Sequence, residues 1–467
     1  MQRTAYPMRR RFGTRAVVVA LCAGLAAGYM TPAVAEPLGQ YTTFDVGPGA
    51  WYAGGIASGP DGNMWFTNNA NFSVNVLTAN GSVTSFPVPT SPSLTSGPGL
   101  FEVAAGPDGN MWFTGFFANY VGKVTPAGVV TTYSVPIADS HPEGITAGPD
   151  GNMWFTLDFA NGIGRITPAG EMTLFPIPDP GVTGAPAISV TTACPMCPNQ
   201  IVAGPQESLW FTLPAVNLIG RMTVDGALTT FPIATATKPS DAGTWATLGD
   251  ITSGPDGNLW ILQAADSKVS RMTPDGVVTD FALPANAEHP VTITRGPQST
   301  LWVAPGRGTA LARLDVSKTT ASVTITSYPL PSANSNPGSA ATGPDGGVWF
   351  TNLVASPSWT DFAEQIGRIG TGVGPILTAR LTNAGQTATT ARVGSPLTCA
   401  HVNRSGWRQT QVRYQWLRDG KPMMEGVRRT YTPRARDKGR KINCNVAVTY
   451  AHALNTLGAN SQAMLVR

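Results

Sequence analysis

Charge, histidine and long apolar runs are all scarce in this chain. Only 12% of its 467 residues are Asp, Glu, Lys or Arg, and 4 are histidine. That leaves little from which to build an imidazole metal cage, and no charge-rich tract of the kind that stays unfolded. Beyond residue 30 no segment is apolar for the roughly 20 residues that cross a bilayer, so the sequence carries no transmembrane helix there. RRM, zinc-finger and helix-turn-helix patterns are missing too, which argues against nucleic acid as a partner. Glycine and proline are abundant instead, at 52 and 40 residues, and they recur periodically.

The N-terminus reads as an export signal. Arg9, Arg10, Arg11 and Arg15 precede an apolar stretch over 16–30, and Ala33-Val34-Ala35 fits an A-x-A cleavage site. The apolar stretch is too short for a membrane anchor. The expected product is a secreted, periplasmic or cell-surface protein cleaved near Ala35, soluble and monomeric. Cleavage leaves Cys194, Cys197, Cys399 and Cys444, an even number that favours two disulfides in an oxidising compartment. The net charge of +4 conceals a division: residues 36–375 hold 11 basic and 24 acidic side chains, whereas residues 376–467 hold 15 basic and 3 acidic. An acidic body is joined to a basic tail.

The body is a repeat. Gly59-Pro60-Asp61-Gly62-Asn63-Met64-Trp65-Phe66-Thr67 returns almost unchanged at 106–114 and 148–156, and in weaker form at 204–212, 254–262, 296–304 and 343–351. Steps of 42 to 56 residues containing short β-type runs and Gly/Pro turns indicate β-propeller blades. In the third copy the runs are 145–147, 152–156, 163–167 and 172–176, strands A to D, with Pro149-Asp150-Gly151 and Thr167-Pro168-Ala169-Gly170 as tight turns. Trp65, Trp112, Trp154, Trp210, Trp260, Trp302 and Trp349 mark strand B. A ring present in every unit reads as packing between blades rather than as a ligand platform. Strand D appears only six times; the seventh is supplied by residues 41–46, so the expected fold is an all-β, seven-bladed β-propeller closed by its N-terminal strand, which leaves no open edge.

Tight A–B and C–D turns share one face of such a ring. The insertions at 178–199, 234–248, 284–291, 330–338 and 353–365 fall on the other, which is therefore the expected working face. Cys194-Pro195-Met196-Cys197 lies in the longest insertion and reads as a loop-stapling disulfide, since a single pair supplies two of the four ligands that structural zinc needs.

From about Ile376 the repeat ends. Cys399, Trp416 and Asp437-Lys438-Gly439-Arg440-Lys441-Ile442-Asn443-Cys444 have the spacing of an Ig-like β-sandwich with Cys399–Cys444 bridging its sheets, although Ile442 stands where a corner tyrosine is usual. Its Arg404, Arg408, Arg413, Arg428, Arg429, Arg434, Arg436 and Arg440 suit contact with an anionic cell-envelope polymer, or form a solvated basic surface.

The motif Pro142-Glu143-Gly144-Ile145 running through Thr156, with Asn161 to Thr167 and the Phe-Pro-x-Pro that follows, resembles the streptogramin (virginiamycin B) lyase family over roughly residues 40–374. The resemblance implies a seven-bladed propeller. In active members it also implies magnesium-dependent opening of a cyclic depsipeptide by elimination, with a histidine just before the Gly-Ile pair and a glutamate just after Trp-Phe-Thr. Here the positions after that motif are Asn68, Gly115, Leu157, Leu213, Gln263, Pro305 and Asn352, and those before Gly-Ile are Gly54, Phe101, Glu143, Asn199, Gly249, Val291 and Gly338. The expected glutamates and histidines are absent. His141 and His289 lie two residues before the second slot, and Glu143, Glu102, Asp158, Asp250 and Glu288 fall near the same face. They offer either a displaced His/carboxylate site or an ordinary polar rim. The favoured expectation is a non-catalytic binding protein that takes a small molecule, glycan or peptide on its loop face and needs no cofactor. The alternative is a magnesium-dependent lyase with a divergent site.

Overall fold

The computed structural model describes residues 37–48, 54–78, 81–90, 97–178, 196–236, 248–306, 308–316, 322–330, 332, 335–355, 362–372, 377–383, 386–387, 391–403, 409–419, 421–423, 428–450, 457–460 and 464–467. The expected export signal, Cys194, Arg404, Arg408 and most of the insertions lie outside them.

Residues 41–369 form seven four-stranded antiparallel sheets. Each A strand lies against the A strands of both neighbouring blades, so the seven close a ring with A innermost. Blade three comprises Pro142–Ala147, Met153–Leu157, Gly162–Ile166 and Met172–Pro176. Strand A starts earlier than the sequence suggests, because an irregularity between Pro142 and Ile145 lets the chain enter the sheet before the alternating pattern begins. The ring closes as expected. Tyr41–Pro48 pairs with Phe362–Ile369 as the outer strand of the last blade, two residues longer than the sequence indicates. In the A–B turns Gly62, Gly109 and Gly151 take φ of 74°, 76° and 76°, a region costly for any side chain.

The tryptophans pack between blades. Trp65 shares a buried cluster with Val103, Met111 and Phe113 of blade two, and the pattern repeats around to Trp349, which packs with Ile56, Met64 and Phe66 of blade one. Each indole also meets a strand-D ring of its own sheet, from Trp112–Tyr133 at 5.9 Å to Trp154–Phe175 at 5.2 Å. In the last blade that ring is Phe44 of the N-terminal strand, stacked on Trp349 at 5.3 Å. The acid of the A–B turn serves the indole directly: Trp154 Nε1 donates to Asp150 Oδ1 at 2.9 Å, and Asn152 donates to the same carboxylate through its main chain and side chain. The basic residue of strand C completes the set. Arg165 stands 3.8 Å from Asp150 and 5.6 Å from the Trp154 ring centre, and Lys123 and Arg368 pair with Asp108 and Asp345 in the same way. A buried indole N–H therefore never goes unpaired where the turn keeps its Asp; in blade six, where Gln298 replaces it, Trp302 Nε1 is buried without a partner.

The motif threonine ties one blade to the next. Thr156 Oγ1 accepts from Gly144 N in its own blade and donates to Asn199 O in blade four. Thr351 does the same across the closing seam, donating to Gly54 O. Blades five and six have Leu262 and Ala304 there, and the stitch moves inward. Asp250 accepts from Ile293 N and Thr292 Oγ1, Thr292 Oγ1 accepts from Ala340 N, and Ser339 Oγ accepts from Ile56 N.

Residues 377–467 form two further sheets. One has the order Gln386–Thr387, Leu377–Asn383, Leu397–Asn403, Thr430–Tyr431. The other runs Lys421–Pro422, Gln409–Arg418, Lys441–Tyr450, Leu457–Asn460. The Cys399–Cys444 disulfide joins them beside buried Trp416. Asp437 is fully buried and takes Arg418 Nε, Tyr431 OH and Arg434 N, each at 2.7 Å.

Candidate functional site on the loop face

The positions that follow Trp-Phe-Thr are covered rather than exposed. Asn68, Gly115, Leu157, Leu213, Gln263, Pro305 and Asn352 are all buried. A carboxylate nevertheless reaches one of them from a strand that the repeat pattern did not single out. Glu364, on strand C of blade seven and 2% exposed, accepts from Asn68 Nδ2 across the closing seam. The Asn68 amide is fixed in that orientation, because its oxygen accepts from Ala70 N and Asn71 N. The other Glu364 oxygen, Oε1, is buried without a partner. Burial pushes this carboxyl up to about 8, with the Asn68 bond opposing.

Three of the acids anticipated on the working face gather toward the middle of the ring. Burial raises Glu102 to about 8, and nearby Asp250 and Glu143 add to the shift. Burial likewise raises Glu143 to about 8; Asp158 adds to it and a hydrogen bond with Asn199 opposes. Asp158 and Asp250 are raised to about 6, both by burial. Glu102 and Glu143 are therefore held largely protonated at neutral pH. Asp250 is occupied by the inter-blade stitch, accepting from Ile251 N, Ile293 N and Thr292.

His141 lies inside an aromatic group. Its ring stacks on Phe116 at 4.4 Å and meets Phe159 at 4.3 Å. Phe116 in turn stacks on Phe101 at 4.8 Å and touches Phe117 edge-on at 5.1 Å. Phe116 is buried, whereas Phe117 and Phe159 are 41% and 38% exposed. Phe116, Phe117 and Phe159 come from the B–C links of blades two and three, and His141 from the D–A link between them. His141 adopts φ +51°; its carbonyl accepts from Asp158 N, and Ser140 before it is tied twice to Asn119 Oδ1. Nδ1 is buried without a partner. Burial among the rings lowers the imidazole's affinity for a proton, with Asp139 opposing.

His289 occupies the equivalent place in blade six, with φ +49°, its N–H donating to Ser267 Oγ and its carbonyl accepting from Gly306 N. Glu288 is exposed beside it. Cys197 is disulfide-bonded, and its expected partner Cys194 lies outside the described residues. In the C-terminal sheets Arg413, Arg428, Arg429, Arg434, Arg436 and Arg440 are exposed, with Arg440 paired to Asp419 at 3.2 Å.

Magnesium calls for ionised oxygen ligands converging on one point. Among the described residues no group of three or more His, Cys, Asp or Glu side chains is so arranged. Glu102 and Glu143 are biased toward the protonated form, and Asp250 already accepts three hydrogen bonds. The donor set does not fit the ion.

Comparison with known proteins agrees with the ring geometry. The model of the virginiamycin B lyase family matches residues 32–193 and 243–389. This chain belongs to that family. A crystal structure of virginiamycin B lyase from Staphylococcus aureus is 28% identical, covering 71% of this chain and 99% of that one with a TM-score of 0.56. A streptogramin B lyase structure is 30% identical, covering 70% and 97% with a TM-score of 0.56. A catalytically inactive histidine-to-alanine variant of the S. aureus enzyme with quinupristin is 27% identical, covering 71% and 99% with a TM-score of 0.57. No curated protein sequence matched. All three structures cover no more than 71% of this chain.

Proposed function

We propose that this member of the virginiamycin B lyase family is an exported, non-catalytic binding protein. The observation that carries the reading is the state of the family's catalytic positions. The seven sites after Trp-Phe-Thr hold no carboxylate and are buried, and the acids near the middle of the ring are protonated or engaged in stitching. General-base and metal chemistry both need an ionised or free partner at the reacting atom. A loop face that lacks the family's glutamates and histidines at their own positions retains the capacity to hold a ligand.

The C-terminal unit, which we read as Ig-like, supplies a second contact. Its exposed arginines would meet an anionic cell-envelope polymer through charge-assisted hydrogen bonds. Exposed charge of this kind is screened by salt. Cell-envelope material is therefore expected to retain the full mature chain at low ionic strength and release it as salt rises, while the chain lacking residues 376–467 is not retained. Equal retention of the two would refute the assignment of that contact.

The second reading is a lyase with a displaced site. The equivalent placement of His141 and His289 in the D–A links supports it, and the lowered proton affinity of His141 suits a base at neutral pH. Turnover that disappears on His141→Ala or His289→Ala would favour this alternative.

A further inference from the structure

The aromatic group around His141 breaks the repeat. The B–C link that carries Phe116-Phe117 in blade two begins Asn69-Ala70 in blade one, Pro214-Ala215 in blade four and Ala264-Ala265 in blade five. Blade six places a histidine at the same strained position, but Gly306 follows its strand B. Features shared by all blades serve packing; one confined to two adjacent blades on the loop-bearing face does not follow from the scaffold.

We infer that Phe117, Phe159 and His141, backed by Phe116 and Phe101, form a ligand subsite for a small molecule without negative charge that lays an aromatic or fused apolar ring on this shelf. The inference rests on the ligand-binding reading above and names the class of ligand. The base of the shelf is already assembled: Phe116 is buried between Phe101 and His141, so a ligand meets rings that have no ordering left to lose. Two phenyl groups remain more than a third exposed beside it, large apolar surfaces that a ring can cover by stacked or edge-on contact.

Charge complementarity selects the class. Acids flank the shelf: Glu102 follows Phe101, Glu143 lies two residues after His141, Asp158 precedes Phe159 and donates its N–H to the His141 carbonyl, and Asp139 acts electrostatically on the imidazole, so the surroundings disfavour an anion. Among the described residues, cation–π contacts lie at Trp112, Tyr133, Trp154, Phe175, Trp210, Phe231, Phe281 and Trp349, and none involves a shelf ring. With Nδ1 covered, Nε2 is the nitrogen through which His141 can address a polar group on the ligand.

The test uses the fluorescence of N-phenyl-1-naphthylamine, a neutral ring-bearing probe, titrated into the full mature chain. Saturable binding is expected, weakened about tenfold or more in Phe117→Ser/Phe159→Ser. Both side chains are exposed, so that variant should fold, and an unchanged thermal transition verifies it. His141→Ala provides a second variant, expected to weaken binding by removing the ring stacked on Phe116. Absence of saturable binding to the parent chain, or equal affinity in both variants, overturns the subsite. Tighter binding of anionic 8-anilinonaphthalene-1-sulfonate than of the neutral probe overturns the choice of ligand class. Incubating the same samples with a streptogramin B and magnesium separates this claim from the non-catalytic one: ring opening refutes the latter and leaves the probe result standing.

Discussion

Glu364→Gln offers a quantitative test of the seam that closes the propeller. Glu364 is 2% exposed, its Oε1 has no partner, and burial raises its carboxyl from 4.5 to about 8. An acid whose affinity for a proton is greater in the folded state stabilises least when it must ionise. Between pH 4.5 and about 8 the folded chain binds the extra proton, so stability is full below that window and falls as pH rises through it. At about 1.4 kcal/mol per pH unit the whole window is worth about 5 kcal/mol, and the part up to pH 7 about 3 kcal/mol. These are upper bounds, because water admitted to the seam would screen the ion. Glutamine keeps an oxygen for Asn68 Nδ2 and cannot ionise. The substitution should therefore be nearly neutral at pH 4.5, stabilising by up to about 3 kcal/mol at pH 7 and more at pH 9. Urea unfolding of both proteins at the three pH values, disulfides intact, gives the difference directly, and Glu102, Glu143 and Asp250 cancel because they are common to both. A stability difference that does not change between pH 4.5 and pH 9 would refute the reasoning.

Asp150→Ala should cost about 2–3 kcal/mol in urea unfolding, since it removes the acceptor for Trp154 Nε1 and for both Asn152 donors. Burial acts to raise Asp150, but the Asn152 and Trp154 bonds outweigh it and hold it below its usual range. The penalty should therefore be full at neutral pH and shrink as pH falls below about 4. Opening the Cys399–Cys444 bridge, which spans 45 residues, should destabilise the C-terminal unit by about 4 kcal/mol, read as a lowered urea midpoint for the Trp416 fluorescence change. Phe44→Ala removes the ring stacked on Trp349; hydrogen exchange should quicken in 41–48 and 362–369 more than in the blade-three strands, and a uniform change would contradict the closure described here.

Seven blades and their closure were legible in the sequence because the turn glycines, the strand-B tryptophan and the missing seventh strand D all report on local geometry. The partnership of the strand-C base with a nearby acid could also be anticipated. The Asp150–Trp154 bond was not, although the acid recurs four residues before the indole in five blades. Its signal is the fixed spacing of the turn acid and the tryptophan taken together. Glu364 was hidden for a different reason: its partner Asn68 is 296 residues away, and only closure of the ring brings the two together. Asp250 looked like a face acid, but it replaces an inter-blade threonine. The aromatic shelf leaves no periodic signal, because its phenylalanines do not recur from blade to blade.

The central claim is that the loop face of this virginiamycin B lyase family member binds without converting. The most direct measurement incubates the purified mature chain with a cyclic streptogramin B and magnesium and follows the mass of the depsipeptide. The account predicts that the ring stays intact over incubations in which an active family member opens it. Ring opening by this chain that is abolished by His141→Ala or His289→Ala would contradict it.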